Sequence, residues 1–279
     1  MTVSQADTQS PALDRPAATG GRSSFAQRIR RARAPILAVG LVVIIIAAWQ
    51  LSVALGWVNR TYTSEPSTIA VAAWHYIPSS AGLQDMATSG EELVIGFGLS
   101  IIVGVVLGLL MGRYVLLEEA TSLGLNIFYS LPLLALAPIL VLWFGIGIES
   151  KIVVVFLASL FPILVSTLTG VKNVDSSLKD MARSYRANDI QMWLTVLLPA
   201  SLPSILSGIR IGMAGALVGV VVGEFISSSS GIGFLISQSA NNFNITEMFV
   251  GLLILAVVSL ILTVILRRLD SHFSKWRTR

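Results

Sequence analysis

Residue types that commonly perform catalysis or bind metals are scarce in this chain of 279 residues, which has 2 histidines and no cysteine. His75 and His272 lie far apart in the sequence, and neither has a His or Glu partner four residues away, the spacing of a helical metal site. The chain also lacks a G-x-S-x-G nucleophile motif. The sequence therefore predicts no catalytic residue, no metal site and no cofactor bound to this chain.

A nucleotide-binding loop is missing as well. The sequence contains no G-x-x-x-x-G-K-[ST] motif, whose backbone N–H groups and lysine hold the phosphates of ATP. Any dependence on ATP and Mg²⁺ is therefore predicted to come from a separate polypeptide, and the chain itself is not expected to be an enzyme.

Glu224 is the acidic residue with the most informative position, because it lies in the last turns of the apolar run 205–226. A carboxylate is costly in lipid, so its side chain is predicted to face protein or water. It would also repel an anionic substrate. Two roles remain open: holding an external gate through a hydrogen bond or ion pair, and binding a cationic group.

Long apolar runs are the elements that must position these groups, since 54% of the residues are apolar and only 12% are charged. Six runs approach or exceed the roughly 20 residues that span a bilayer as a helix. They cover residues 35–55, 93–111, 123–148, 152–171, 205–226 and 248–266. Because the runs are continuously apolar and do not alternate in polarity, helices are favoured over β-strands. The predicted fold is an all-α integral membrane protein with about six transmembrane helices.

The distribution of Lys and Arg predicts the orientation of these runs. Basic residues precede the first run, follow the last, and occur in the connections 112–122 and 172–204, so both termini are predicted to be cytoplasmic. The only Lys or Arg residues in the external connections 56–92, 149–151 and 227–247 are Arg60 and Lys151. Topology thus accounts for the net charge of +4, and nucleic-acid binding is not expected. Residues 1–24 lack apolar periodicity and are predicted to be disordered, leaving 25–279 as the membrane domain.

The connection 174–193 is long for a link between two helices. Asp175 is a candidate N-cap of a short helix that ends near Asn188, and Asp189 is a candidate N-cap of the next one. One face of the short helix is apolar, with Leu178, Met181, Ala182 and Tyr185. The pattern by itself is equally consistent with a helix that lies along the lipid headgroups.

Two stretches in this region carry a family resemblance. The runs D-M-A-R-S-Y-R-A-N from Asp180 and V-L-L-P-A-S-L-P-S-I-L-S-G-I-R at 196–210 resemble the EAA loop of ABC importer permeases. The resemblance implies a coupling helix that docks on an ATPase subunit. The matching residues are Asp180, Met181, Ala182, Arg183, Tyr185, Arg186 and Ala187. Met181 replaces an alanine and Arg186 a glycine of the family pattern, so the local turn is expected to differ or Arg186 to pair with an acidic partner residue.

The resemblance extends beyond this loop. S-L-P-L-L-A-L-A-P-I-L-V-L-W-F-G-I-G at 130–147, V-V-G-E-F at 221–225 and G-I-G-F-L-I at 231–236 are similar to the subfamily that imports nitrate, sulfonates and taurine. Membership would imply a type I importer permease (MetI-like) architecture in the bacterial plasma (inner) membrane. It would also imply an ATPase subunit dimer, a second permease subunit, most simply another copy of this chain, and an extracytoplasmic substrate-binding protein.

Other residues in the runs are candidates for the translocation pathway or for helix packing. Pro132 and Pro138 are expected to kink the third run and free backbone carbonyls. Gly212 and Ala216 belong to a row of small residues on the fifth run, which lines the pathway in the family. A similar row on the second run, from Gly96 to Gly112, is predicted to be a packing ridge.

The predicted function is thus a permease subunit that forms the pathway for a small molecule such as nitrate, a sulfonate or taurine. A self-sufficient secondary transporter or channel is the alternative. It would need coupling acids or a charged filter within its spans, and Glu224 is the only residue that comes close to this requirement. A membrane scaffold would leave the loop 174–193 unexplained. Thiamine pyrimidine precursors and riboflavin remain open as substrates.

Overall fold

The computed structural model describes residues 22–59 and 61–274, and this part of the chain is helical without any β-strand. The helices are α1 (Arg22–Ala54), α2 (Pro66–Tyr76), α3 (Ser80–Arg113), α4 (Val115–Ser130), α5 (Leu133–Phe144), α6 (Ile148–Lys172), α7 (Ser176–Ser184), α8 (Asp189–Gln191), the π-helix (Met192–Leu197), α9 (Leu198–Ser227), α10 (Ile232–Asn241) and α11 (Ile245–Ser274). Helix α1 already begins at Arg22. The rest of the segment predicted to be disordered lies outside the described residues.

Within the described residues, four helices are long and apolar enough to cross a membrane: α3, α6, the continuous helix Asp189–Ser227, and Ile245–Arg268 of α11. Two of the remaining predicted runs contain shorter apolar helices, Val39–Ala54 and Ala135–Phe144. The predicted all-α membrane fold is confirmed.

The structure divides the third predicted run, 123–148, into two helices. Helix α4 ends at Ser130 and α5 begins at Leu133, because Pro132 has no N–H and disfavours helical backbone at Leu131, whose ψ is 131°. Pro138 lies inside α5, which continues through it. The proline that interrupts the run is therefore Pro132, and the run ends at Gly145, whose φ is +85°.

Helix α6 lies at the centre of the bundle, with α3 against one side. A Cβ atom added at Gly108 would lie 2.6 Å from the Thr167 Cβ, and one at Gly112 would lie 2.5 Å from the Val171 Cβ. Between these glycines and Gly96, Ser159 donates a hydrogen bond to the Ser100 Oγ at 2.7 Å. The row of small residues on α3 therefore packs against α6, as predicted.

Helix α9 packs against the other side of α6 through its own small residues. A Cβ atom at Gly215 would lie 2.4 Å from the Ala158 carbonyl oxygen, and one at Gly212 would lie 2.8 Å from the Ile163 Cγ1. Ala216 is fully buried in the same interface. Close approach of this kind matters in lipid, where helix association depends on van der Waals packing more than on the hydrophobic effect.

A second apolar cluster joins α2, α10 and α11. Its buried members are Ile69, Ala73, Ile232, Ile236, Val250 and Ile254. Helix α2 is too short to span a bilayer, and this cluster fixes it to the bundle near the start of α3. The ends of α3, α6 and α9 that lie near α10 are called the α10 end below, and the opposite ends are called the α7 end.

Gly108→Ala tests the packing of α3 on α6. The new methyl group would lie 2.8 Å from the Leu164 carbonyl oxygen, and overpacking of this kind costs about 1–3 kcal/mol of unfolding free energy. Gly98→Ala on the same helix is the matched control, because its Cβ would meet nothing within 4 Å. Denaturant unfolding in detergent should show a loss only for Gly108→Ala. Equal stability of the two variants would contradict the close packing.

Candidate functional site

The α7 end carries a short helix with well-defined caps. The Asp175 side chain accepts a hydrogen bond from the Ser177 N–H at 2.8 Å, which confirms the predicted N-cap. This hydrogen bond lowers the pKa of the Asp175 carboxyl below its usual value. The helix ends at Ser184, earlier than the predicted end near Asn188.

Arg186, which stands where the family pattern has a glycine, adopts a backbone conformation that favours glycine. Its φ is +55°, in the left-handed region that residues with a Cβ rarely occupy. Its N–H donates to the Arg183 carbonyl oxygen at 2.8 Å, and the Ala187 N–H donates to the Ala182 carbonyl oxygen at 3.0 Å. These bonds close the C-terminus of α7. Arg186 therefore closes this turn in a left-handed conformation despite its Cβ, at a strain of roughly 1–2 kcal/mol.

The next helix is capped by Asn188, one residue before the predicted cap. The Asn188 side chain accepts from the Gln191 N–H at 2.8 Å, and Gln191 Oε1 accepts from the Asn188 N–H at 2.9 Å, which together form a capping box. Asp189, the predicted cap, instead pairs with Arg113 at 3.0 Å. Asp189 was the wrong choice because the sequence does not show the arginine that its carboxylate faces.

The π-helix Met192–Leu197 joins this start directly to α9. Met192 and Leu197 are buried in a cluster with Val171 and Val174. Ala182 of α7 packs against the same cluster. One side of helix α7 is thus attached to this apolar cluster, which continues into α9 and is called the base of α7 below.

The other side of α7 is exposed. Tyr185 is 83% exposed and Met181 is 53% exposed, although both are large and mostly apolar. Between them, Arg183 donates to Asp180 Oδ1 at 3.1 Å, and both side chains are about two-thirds exposed. Asp180, Met181, Arg183 and Tyr185 are therefore all exposed, whereas Ala182 and Ala187 are half-buried.

The α10 end contains a buried ionic cluster. Lys151 Nζ lies 2.5 Å from Glu92 Oε1, and the two side chains are 7% and 0% exposed. Lys151 was predicted to lie in an external connection, which is wrong: it lies in the first turns of α6, which begins at Ile148. Glu92 was not singled out from the sequence. Glu92 directly precedes the predicted run 93–111, and Lys151 directly precedes the run 152–171. A charged residue at the edge of each run was therefore the sequence signal for this cluster.

Glu224 belongs to the same cluster and is 1% exposed, which confirms that it faces the protein. Its carboxylate accepts from the Ser89 hydroxyl at 2.5 Å and from the Gly233 N–H at 2.5 Å. A Cβ atom at Gly231, whose φ is +122°, would lie 2.3 Å from Glu224 Oε1. Only glycine at 231 leaves room for this carboxylate.

Side chains from other helices satisfy the first N–H groups of α10. Asp85 accepts from the Gly231 N–H at 2.8 Å, and Ser89 accepts from the Ile232 N–H at 2.9 Å. Asp85 also accepts from the Tyr76 hydroxyl at 2.5 Å. Burial, followed by this hydrogen bond, raises the pKa of Tyr76, which therefore stays a donor at physiological pH. The cluster and these bonds join α2, α3, α6, α9 and α10.

The other pathway candidates do not lie in this cluster. Gly212 and Ala216 are buried against α6 within the chain, and Pro132 and Pro138 are exposed. Their assignment to a pathway stays a prediction.

Known transport proteins are similar to this chain in fold and in sequence. A chain of an inward-facing methionine ABC transporter has the same fold, with a TM-score of 0.61 at 19% identity over 68% of this chain and 94% of that chain. Residues 100–279 match the family described as the binding-protein-dependent transport system inner membrane component. This chain belongs to that family of multi-pass inner-membrane transport permeases.

Three relatives show the range within the family. The chain is 34% identical to the putative aliphatic sulfonates transport permease protein of Bacillus subtilis, over 85% of this chain and 86% of that protein. It is 28% identical to the taurine transport system permease protein of Escherichia coli, over 86% of this chain and 89% of that protein. It is 32% identical to the formylaminopyrimidine transport permease protein of Halalkalibacterium halodurans, over 66% of this chain and 74% of that protein.

Lys151→Met tests the buried cluster. Removing the ammonium leaves two buried carboxylates without their cation, which should lower the unfolding free energy by about 3–5 kcal/mol. The double variant Lys151→Met/Glu92→Gln should recover part of the loss. Lys172→Met is the control, since Lys172 forms an exposed pair with Glu118 and should cost at most about 1 kcal/mol. Similar losses for the two lysine variants, measured by unfolding in detergent, would contradict the cluster.

Proposed function

We propose that this chain forms the translocation pathway of an ATP-driven importer for a small molecule that an extracytoplasmic binding protein delivers. The observation that carries the proposal is the pairing of an exposed, firmly mounted α7 at one end of the bundle with a buried ionic cluster at the other. Family membership supports the transport role. The proposed working unit contains two copies of this chain, two ATPase subunits and the binding protein.

Helix α7 is the proposed docking element for the ATPase subunit. Large apolar side chains exposed beside an ion pair are typical of a surface that a partner covers. Tyr185 and Met181 would supply the apolar contacts, and Asp180 and Arg183 the charge complementarity. Arg186, which adds a cation at the closing turn, would face an acidic group of the partner. Because the chain has no nucleotide-binding loop, the energy must reach it through such a contact.

Helix α9 is the proposed connection from this contact to the opposite end. Its 30 residues span about 45 Å at 1.5 Å per residue, and it joins the base of α7 to Glu224. The cluster of Glu92, Lys151 and Glu224 is the proposed external gate. Opening it would separate α10 from α3 and α9 and expose the buried polar groups to water.

The α7 end and both termini are proposed to face the cytoplasm of the bacterial cell, following the distribution of Lys and Arg. The absence of natural cysteine allows a direct test. Phe243→Cys, at a position 80% exposed at the α10 end, should react with a membrane-impermeant maleimide in intact spheroplasts. Tyr185→Cys should react only after the membrane is permeabilised. The reverse pattern would overturn the orientation.

The proposed substrate class is a small organosulfonate, an aliphatic sulfonate or taurine. The proposal is supported by two relatives whose names include aliphatic sulfonates or taurine. A formylaminopyrimidine is the second candidate, because a third relative is named as a formylaminopyrimidine transport permease. Nitrate and riboflavin are less favoured, since none of the relatives described above is named for either.

Uptake into proteoliposomes that contain this chain, its ATPase subunit and its binding protein tests the proposal. ATP enclosed on the ATPase side should drive accumulation of labelled ethanesulfonate or taurine. Accumulation of a formylaminopyrimidine alone would replace the substrate class and keep the importer. Uptake that needs a proton gradient and no ATP would favour a secondary transporter, for which Glu92 and Glu224 would be the coupling acids.

The double variant Asp180→Arg/Arg183→Glu tests coupling through α7. The exchange keeps an ion pair within the helix and reverses the charges presented to a partner, so the chain should fold while ATPase stimulation by substrate-loaded binding protein is lost. The matched control is Glu118→Lys/Lys172→Glu, which exchanges another exposed pair at the α7 end. Undiminished stimulation in the α7 variant, or an equal loss in the control, would refute the coupling assignment.

A further inference from the structure

A basic pocket lies at the α7 end, beside the docking surface described above. It has a volume of about 210 Å³ and is lined by the end of α3, the polar side of α7 and the π-helix. Arg113, Lys179 and Arg183 contribute three cations, and Met192 and Leu197 contribute apolar wall. The pocket has room for a hydrated phosphate group, since a water molecule needs only roughly 10–15 Å³ of such a cavity.

The cations are not fully neutralised by the protein. Arg113 pairs with Asp189 and Arg183 with Asp180, but both carboxylates are 67% exposed, so these are weak, solvent-screened pairs. Lys179 is half-buried, and its ammonium has no hydrogen bond or ion pair within the part of the chain that the structure describes. Three cations against two exposed anions leave the pocket with a net positive charge. The Lys179 ammonium is therefore available to an anion that enters the pocket.

The surroundings of the pocket match a lipid. Val115 lines the pocket and is 65% exposed, and its neighbour Leu116 is 80% exposed, so an apolar surface begins at the pocket and continues along α4. A phosphate in the pocket would have its acyl chains on this surface. Basic pockets between helices at the membrane boundary are suited to anionic headgroups.

We propose that Arg113, Lys179 and Arg183 form a binding site for a phosphate group, carried by an anionic phospholipid or free in solution. The bound phosphate would bridge α3 and α7, whereas the exposed pair of Arg113 with Asp189 joins α3 to the start of α8. It would stabilise the position of α7 on its base. The site does not depend on which substrate the chain transports, and it shares Arg183 with the proposed docking surface of α7.

The test uses the full chain purified in a neutral detergent. Its thermal unfolding midpoint is measured against dihexanoyl phosphatidylglycerol, dihexanoyl phosphatidylcholine and inorganic phosphate. Phosphatidylglycerol should raise the midpoint saturably, and Lys179→Ala should weaken the apparent affinity on the order of fivefold. Phosphatidylcholine should have little effect because its headgroup carries no net charge. Lys179→Arg should restore the affinity, which separates loss of charge from misfolding.

Lys172→Ala is the matched control, since it removes one positive charge from the α7 end without touching the pocket. A Lys179-dependent effect of phosphatidylglycerol alone identifies a lipid site, and the same effect with inorganic phosphate identifies free phosphate as a sufficient ligand. The proposal is overturned if neither ligand raises the midpoint, or if Lys179→Ala responds as strongly as the unaltered chain and Lys172→Ala.

Discussion

Backbone-close packing of α6 between α3 and α9 is the constraint on which the rest of the structure depends. In lipid the apolar surface of a helix gains little by contacting another apolar helix, so association requires close van der Waals contact. The glycines of α3 and α9 provide it, because a Cβ at most of these positions would lie under 3.0 Å from α6. Three helices held this closely act as one body. In the proposed mechanism, these helices would carry a displacement at the α7 end to the α10 end.

The two ends of that body differ in how they use charge. At the α7 end the ion pairs are exposed and contribute little to stability, which leaves their charges available to a partner or a phosphate. At the α10 end Glu92, Lys151 and Glu224 are buried, and their mutual pairing offsets a large desolvation penalty. Such a cluster is stable only while it stays assembled. Admission of water would reduce both the penalty and the attraction, which suits a contact that opens and closes.

Local patterns in the sequence predicted what local physics determines. Run length and composition predicted the helices, and Asp175 was identified as a cap because capping needs only its neighbours. The cap at Asn188 was missed by one residue, since Asp189 is drawn to Arg113, a residue 76 positions away. Lys151 and Glu92 were placed in connections for a related reason: an apolar run stops at a charged residue even where the helix continues and that residue pairs with another helix. Gly212 and Ala216 illustrate the converse, because a row of small residues does not reveal which neighbour it faces.

In the proposed mechanism, the cluster at the α10 end opens when a partner acts at the α7 end. Reactivity of Ser89→Cys tests it directly, since Ser89 is buried and bonded to Glu224, and the chain has no other cysteine. In the assembled transporter, labelling by an impermeant maleimide should be slow without nucleotide and become fast with ATP and loaded binding protein, while Ser100→Cys in the α3–α6 interface stays unreactive. A Ser89→Cys residue that remains protected in every nucleotide state while ATP-driven uptake proceeds would contradict the account.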